Sequence, residues 1–411
     1  MIQIERLERN FKFLAKIGAQ NGQGITRLAF SDEDWEGRNF VISLMQEAGL
    51  SIREDDFGNV IGRREGVNPN APVVMLGSHI DTVPGGGNFD GVVGVLGAIE
   101  TLRSMEEERV ENYYPIEVVV FMAEESSRFG AATLGSKAFC GKLSKEQLDS
   151  YTDKQGLSLG EVLKQRGFNK KGVAAMKYTG KIKNFLEMHI EQGKVLEATG
   201  NQIGIVTGIA APSRYKIHVV GNADHSGATP MTLRQDALPA AAEIILQVEK
   251  FALTETEHGT VGTVGVIQAE PGVMNVIPGK VDLGVDIRGI ALGSKQKVIT
   301  ALMKSIREIE ARRKVKIIID TISDDVPVKL DDAVTNLLYD LSNNEGIKVI
   351  HMSSGAGHDA MHIAEIAPTG MIFIPCKGGI SHNKSEFAKI EDIVAGTEIL
   401  LAAILKLARR E

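Results

Sequence analysis

The sequence predicts an α/β protein in two parts: a mainly parallel-sheet domain interrupted by an inserted ferredoxin-like α+β domain. Three observations carry this. Apolar strand patterns alternate with helical patterns through the first half, as in sheets covered on both faces. The middle of the chain changes rhythm to β-α-β-β-α-β, the split unit of ferredoxin-like folds. Beyond it the α/β alternation returns. These changes place the inserted domain at 211–327 and the larger one at 1–210 and 328–411.

Taken in order, Ser31 reads as an N-cap followed by acidic residues, with Gly49 at the far end of that helix. Ala71–Leu76 is a buried strand leading into Gly77-Ser78-His79-Ile80-Asp81, and a helical run from Val92 to Leu102 follows a glycine-rich turn. Ile116–Met122 is a second strand, ending at Glu124-Glu125, and a third near Phe185–Ile190 ends at His189-Ile190-Glu191-Gln192-Gly193. In the middle, Arg214–Val220 is a strand and Arg234–Lys250 a helix. Thr260–Ile267 and Val281–Arg288 read as a strand pair, Ser294–Arg313 as a helix and Val315–Asp320 as the last strand. Met371–Ile374 and the helix Ile393–Leu407 close the chain. The order of strands within the larger sheet is not written in the sequence.

Composition excludes several functions. A net charge of −7 with both signs interspersed argues against a broad nucleic-acid or anionic-membrane surface. Cys140 and Cys376 are too few and too far apart for a disulfide framework, and neither has a nearby histidine for thiol catalysis. Charges interrupt every apolar run of MIQIERLERNFKFLAKIG, and no segment approaches the ~20 apolar residues of a membrane span. The expected location is therefore cytoplasmic.

The chemistry-bearing residues gather at strand ends, where open α/β sheets form their binding crevices. His79 with Asp81 two residues on suits a metal ligand and the carboxylate that orients it, although such a pair is more commonly a structural hydrogen bond. Asp90 follows three glycines and is either a solvated loop residue or a carboxylate bridging two cations. Glu124 and Glu125 end a buried strand, where adjacent acids are costly unless paired or coordinating; a solvated turn is the alternative. His189 and His382 each end or follow a strand and, singly, read as structural. Together, His79, Asp90, Glu125, His189 and His382 form an imidazole–carboxylate set suited to Zn²⁺, Mn²⁺, Co²⁺ or Ni²⁺. His218, His258, His351 and His362 read as structural or solvated, His358-Asp359 is evenly balanced between that and support of the site, and Arg214, Arg234 and Asp236 read as internal ion pairs.

The chain resembles the metal-dependent amidohydrolases of the peptidase M20 group, in the branch of hydantoinase/carbamoylase and allantoate amidohydrolases. The resemblance spans essentially the whole chain and rests on GSHIDTVPGGGNFDGVVGV, EESSRFG, HIEQG, GNADHSGATPM, NVIPGKVDLGVDIR, SGAGHDA and MIFIPCKGGISHN. It implies two divalent metal ions per subunit, one held by His79, Asp90 and His189 and the other by Asp90, Glu125 and His382, with Asp90 bridging. It implies that Asp81 orients His79 and that Glu124 is the general base. The inserted domain would be a lid and dimerisation domain, with His225 stabilising the oxyanion in the partner's site of a homodimer. Asn275 and Arg288 would hold a substrate carboxylate, with Gln192, Gly355, Ala356 and Gly357 as further substrate contacts. One departure stands out: Ser126 follows the paired glutamates where related enzymes have glycine, which touches substrate preference rather than catalysis.

The implied activity is hydrolysis of a non-peptide C–N bond in a small carboxylated ureido substrate, an N-carbamoyl-L-amino acid first, giving amino acid, ammonia and carbon dioxide. Allantoate is the nearest alternative. Arg214-Tyr215, SSGAGHDA and GMIFIPCKGGISHN lean towards it, while EESSRFGAATLGSK lacks the tryptophan of those enzymes and resembles the carbamoylase pattern better. An aminoacylase or dipeptidase is a third reading, and a non-catalytic binding protein a fourth, against which the retained Glu124 argues.

Overall fold

A computed structural model describes residues 1–410, which divide into two units: one of 1–207, 330–353 and 357 onward, the other of 208–329 and 354–356. The first unit is built on a sheet in the spatial order Ile203–Ile209, Thr369–Ile374, Ile182–Ile190, Val73–His79, Ile116–Phe121, Val60–Arg64, Ser51–Glu54. Thr369–Ile374 through Ile116–Phe121 run parallel, and the strands flanking them pair antiparallel. Every residue of Val73–His79 and Ile116–Phe121 is buried, so their apolar stretches VVML and VVVF are continuous rather than alternating.

Helices Val92–Glu107 and Ile390–Leu407 pack together against the central strands, and their apolar side chains fill one core with Leu76, Val118, Leu186 and Ile372. Their closeness to the sheet depends on the absence of side chains. A Cβ on Gly94 would lie 2.3 Å from the carbonyl oxygen of Met188, and one on Gly97 or Gly396 would lie 2.5 Å from that residue's Cε or Sδ. Met188 immediately precedes His189, so this packing fixes the height of a candidate ligand.

Among the boundaries that differ, two have a local reason. The strand read as Ala71–Leu76 is Val73–His79, because parallel pairing on Ile116–Phe121 continues to the His79–Phe121 register, so His79 ends the strand as expected. The helix read from Arg234 starts at Ala237, because the Asp236 side chain caps it by accepting the Leu238 N–H. Ser31 caps the helix Asp32–Glu47 as expected, accepting from the Asp34 N–H. The antiparallel flanks of the sheet, and the short helices Leu134–Phe139, Lys145–Ser150, Leu159–Gln165 and Lys170–Ala175, were not foreseen. Those helices share a separate apolar core around Phe57, Leu148 and Leu163.

In the second unit an antiparallel sheet runs Val261–Glu270, Lys280–Gly289, Ala211–Val220, Lys316–Asp324. Helices Ala237–Leu253 and Leu292–Arg313 supply the side chains that bury one of its faces. Alternate residues of the central strands, Ile217 and Val219 or Leu283 and Val285, enter that core, whereas Arg214, His218, Asp282 and Asp286 lie on the other face. His218 stands there 2.7 Å from Asp282 and 3.2 Å from Asp320. Both cysteines are free and buried, and among the described residues no helix is long and apolar enough to cross a membrane.

The glycine packing is testable by comparing two substitutions on one helix. Gly94→Ala meets a backbone oxygen that cannot yield, and should cost about 1–3 kcal/mol in denaturant titration. Gly97→Ala meets the flexible end of Met188 and should cost less; the reverse order would show that backbone contact does not set the spacing.

Candidate metal centre

His79 is the last residue of Val73–His79 and His189 the last but one of Ile182–Ile190, so adjacent parallel strands bring both rings to one end of the sheet. Asp90 lies in the loop after the first of these strands, Glu124 and Glu125 in the turn after Ile116–Phe121, and His382 in the loop beyond Thr369–Ile374. The Asp90 oxygen Oδ1 is 3.0 Å from His189 Nε2 and 3.6 Å from His79 Nε2. Its other oxygen, Oδ2, is 3.1 Å from His382 Nε2, which is itself 3.2 Å from Glu125 Oε1. The ligand atoms of His79, Asp90 and His189 lie within 4.8 Å of one another, as do those of Asp90, Glu125 and His382. Asp90 is common to both groups. All these side chains are buried except His382, which is half exposed.

Burial opposes charge on every one of them, and their mutual attraction decides the outcome. Burial works against a charged His79 ring, but Glu124, Asp81 and Asp90 outweigh it and hold its pKa well above the ordinary value. The Asp90 carboxyl is likewise opposed by burial, yet His189, His382 and His79 hold it well below the carboxylate range. Hydrogen bonds to Asp90 and Glu125 raise His382 to about 10. Burial pushes Glu124 well above the usual range, reinforced by Glu125, Asp359 and Asp81 and opposed by His79. The acids around His79, His189 and His382 thus favour the charged forms of these imidazoles. This donor set, mixed imidazole and carboxylate with one carboxylate common to two clusters, fits borderline divalent cations.

Asp81 faces both His79 and the turn of the paired glutamates. Its backbone carbonyl is 3.1 Å from His79 Nδ1 and its carboxylate 3.6 Å. The carboxylate also accepts the N–H groups of Glu124 at 3.1 Å and Glu125 at 3.0 Å. It therefore clamps the turn carrying both glutamates while lying beside the His79 ring.

Gly91 allows the loop to come this close. Its φ is +67°, and a Cβ there would lie 2.4 Å from His79 Nε2, while its N–H points at His189 Nε2 from 3.0 Å. Gln192, expected to contact substrate, donates to Asp90 Oδ2 at 2.7 Å.

The remaining residues fall in the second unit, apart from Gly357. His225 is exposed, and its Nδ1 accepts the N–H groups of Gly227 and Ala228, both at 3.1 Å. With Nδ1 an acceptor, the proton of the neutral ring sits on Nε2. The neighbouring strand residues Val276 and Ile277 pair with His225 and Asp224, and Asn275 accepts the Ser226 N–H through its carbonyl. Arg234 is not in an ion pair as expected but donates to the carbonyls of Thr229 and Ser226, bracing the His225 loop. Arg288 makes two bonds to Asp286, which also receives Arg214, and donates to the Gly355 carbonyl. Gly355 and Ala356 belong to this unit by the same division.

Some site residues escaped the sequence reading. Glu187 is fully buried in the strand that carries His189 and accepts from Ser78 Oγ at 2.7 Å and Ala360 N at 2.9 Å. His358, weighed evenly in the sequence, packs its ring edgewise on His189, centroids 4.5 Å apart, and Asp359 accepts from Ser136. Glu386 accepts the N–H groups of Phe89 and Asp90. A glutamate inside an apolar strand was the available signal for Glu187; nothing local distinguishes Glu386.

Residues 75–406 match peptidase family M20/M25/M40. The chain is 43% identical over 411 residues to the N-carbamoyl-L-amino-acid amidohydrolase of Pseudomonas sp. (strain NS671), covering 98% of each protein. It is 35% identical over 397 residues to the allantoate amidohydrolase of Bacillus subtilis (strain 168), covering 97% and 96%. A crystal structure of a hydantoinase/carbamoylase family amidase from Burkholderia multivorans has a TM-score of 0.92 at 36% identity, covering 100% of this chain and 98% of that one.

Two measurements test the site. Titrating the apoprotein with Mn²⁺ or Zn²⁺ in weak buffer should release protons, because the cation displaces them from the raised histidines, and affinity should fall as pH is lowered. Gly91→Ala should abolish tight binding. Asp81→Asn should leave one buried N–H without its acceptor and lower stability by about 1–3 kcal/mol in chemical denaturation.

Proposed function

The chain belongs to peptidase family M20/M25/M40, and from that premise we propose that it is an amidohydrolase of small carboxylated ureido compounds, N-carbamoyl-L-amino acids first. The observation that carries the reading is Asp90 lying between the two ligand groups with an additional buried glutamate, Glu124, beside them. A binding protein has no need of that extra carboxylate.

In this reading His79, Asp90 and His189 hold one divalent cation and Asp90, Glu125 and His382 the other. When bound, the cations polarise the carbonyl of the scissile group and make water acidic enough to serve as nucleophile. Glu124, kept basic by burial, takes the proton from that water and gives it to the departing nitrogen, so one residue acts as base and then acid. His225 of one subunit serves the site of a second in a homodimer, donating from Nε2 to the developing oxyanion. The backbone amides on its Nδ1 support that role, since they fix the tautomer able to donate. The exposed apolar side chains of Met231, Leu233 and Met274 around this loop support its being covered by a second copy. Arg288 grips the substrate carboxylate through a planar guanidinium already oriented by Asp286, with Asn275, Gln192 and the 355–357 loop completing the contacts. Hydrolysis of the carbamoyl group gives the amino acid, ammonia and carbon dioxide.

Ammonia release from cation-loaded protein should occur with N-carbamoyl-L-amino acids and stop with chelator. Release from allantoate alone would move the assignment to that branch, and release from neither would remove the ureido reading. Glu124→Gln should lower kcat by about 10²–10⁴-fold with cation content retained. Since Glu124 acts only when ionised and its pKa is raised, kcat/KM should fall as pH drops, starting above the ordinary glutamate value of about 4.3. Mixing His225→Ala with Arg288→Ala protein should restore part of the activity if subunits share a site; no recovery would count against the role in trans.

A further inference from the structure

We propose that Glu386 is a positioning residue that holds the Asp90 carboxylate so that its two oxygens serve two cations at once; this rests on the two-cation reading above. Glu386 is buried, and it lies far along the chain from the residues it holds. Its Oε1 accepts the N–H of Phe89 at 2.9 Å and of Asp90 at 3.1 Å. Its Oε2 is 3.0 Å from Ser381 Oγ, and the same hydroxyl is 2.7 Å from Asp90 Oδ2. One carboxylate therefore holds the main chain of Asp90 directly and lies against the Ser381 hydroxyl, whose single proton is shared between it and Asp90 Oδ2.

This matters because the terminal torsion of an aspartate is soft, and nothing within Asp90 fixes the plane of its carboxylate. Oδ1 faces His79 and His189, and Oδ2 faces His382. Turning that plane would leave one oxygen aimed at a ligand group and the other away from it, which lowers the affinity of one site more than the other. The Ser381 hydroxyl stands on the Oδ2 side and resists that turn. Gln192 also reaches Oδ2, at 2.7 Å, and lies 3.4 Å from both Ser381 Oγ and His382 Nε2; Glu386 differs from it in holding the Asp90 main chain as well. The sequence makes room for the arrangement: a Cβ on Gly87 would lie 2.3 Å from Glu386 Oε1 and 2.4 Å from its Cβ. Ser381 and Glu386 also bracket His382, so the loop that supplies a ligand of the second group supplies the brace for the shared one.

The test uses the full-length apoprotein and its Glu386→Ala, Glu386→Gln and Ser381→Ala variants. It reads Mn²⁺ binding by calorimetry, cation content by elemental analysis, the visible absorption of the Co²⁺-loaded forms, and melting of the apo forms. Glu386→Ala should lose about 10–100-fold in affinity at one of two sites and change its Co²⁺ bands, as removal of an orienting partner does. Glu386→Gln keeps an oxygen for both N–H groups and an amide for Ser381, and should bind both cations within a few-fold of wild type. A purely structural role would lower the apo melting point and leave the affinity of the folded protein untouched. Glu386→Ala that binds two cations with wild-type affinity and spectrum would overturn the proposal. If that variant does not fold, Ser381→Ala decides, and two undisturbed sites there would overturn it equally. Wild-type protein that takes up no second cation would sink the two-cation reading itself, an outcome distinct from a wild type that binds two and a variant that does too.

Discussion

Asp90, Glu124 and Glu125 are buried side by side at the carboxyl ends of parallel strands, and their ion-pair partners are imidazoles. Carboxylates so placed repel one another in a medium that screens poorly, and their desolvation is only partly offset by weak acids such as histidine. A protein that keeps such a cluster needs compensating positive charge. Held by imidazole and carboxylate donors, that charge is a divalent cation more naturally than a lysine, because a cation accepts several oxygens and nitrogens at once. Much of the first unit can be understood as the scaffold this cluster demands.

The scaffold acts mainly through the backbone. Asp81 clamps the turn of the paired glutamates by their amides, Glu187 ties Ser78 to the start of the helix at Ala360, and Glu386 holds the amides of the Asp90 loop. Each is a buried acid whose oxygens accept two or more hydrogen bonds, so its own burial is satisfied locally. The glycines complement them. Gly91 lets the main chain lie against His79, and Gly94, Gly97 and Gly396 let two helices close on Met188, beside His189. Ligand positions are therefore set by main-chain geometry on paired strands, the most rigid part of the fold, rather than by side-chain packing alone.

What could be read in advance follows from range. The strands Val73–His79, Ile116–Phe121 and Ile182–Ile190 announce themselves by local apolar runs, and the ferredoxin-like rhythm by elements each long enough to show a period. The grouping of His79, Asp90, Glu125, His189 and His382 was legible because each sits at a strand end or in a loop that follows one. The short flank strands Ser51–Glu54 and Val60–Arg64 carry few apolar residues and owe their existence to pairing along the sheet edge. Glu386 was illegible for the same reason: its partners Phe89 and Asp90 are brought to it only by the fold. The spacing of Asp81 pointed to the ring two residues away, which its carboxylate does face, but not to the neighbouring turn, whose amides it also accepts.

The two units divide the chemistry by sign. The first gathers carboxylates and the histidines that face them, a donor set suited to divalent cations. The second presents Arg214 and Arg288, two guanidinium groups sharing the single carboxylate of Asp286, together with the His225 imidazole, whose Nδ1 accepts two backbone amides. Asp286 neutralises one of the two guanidinium charges and holds Arg288 flat, so one positive charge remains over. Asp286 and Asp90 are each neutralised within their own unit, Asp286 by Arg214 and Arg288, and Asp90 by the histidines around it.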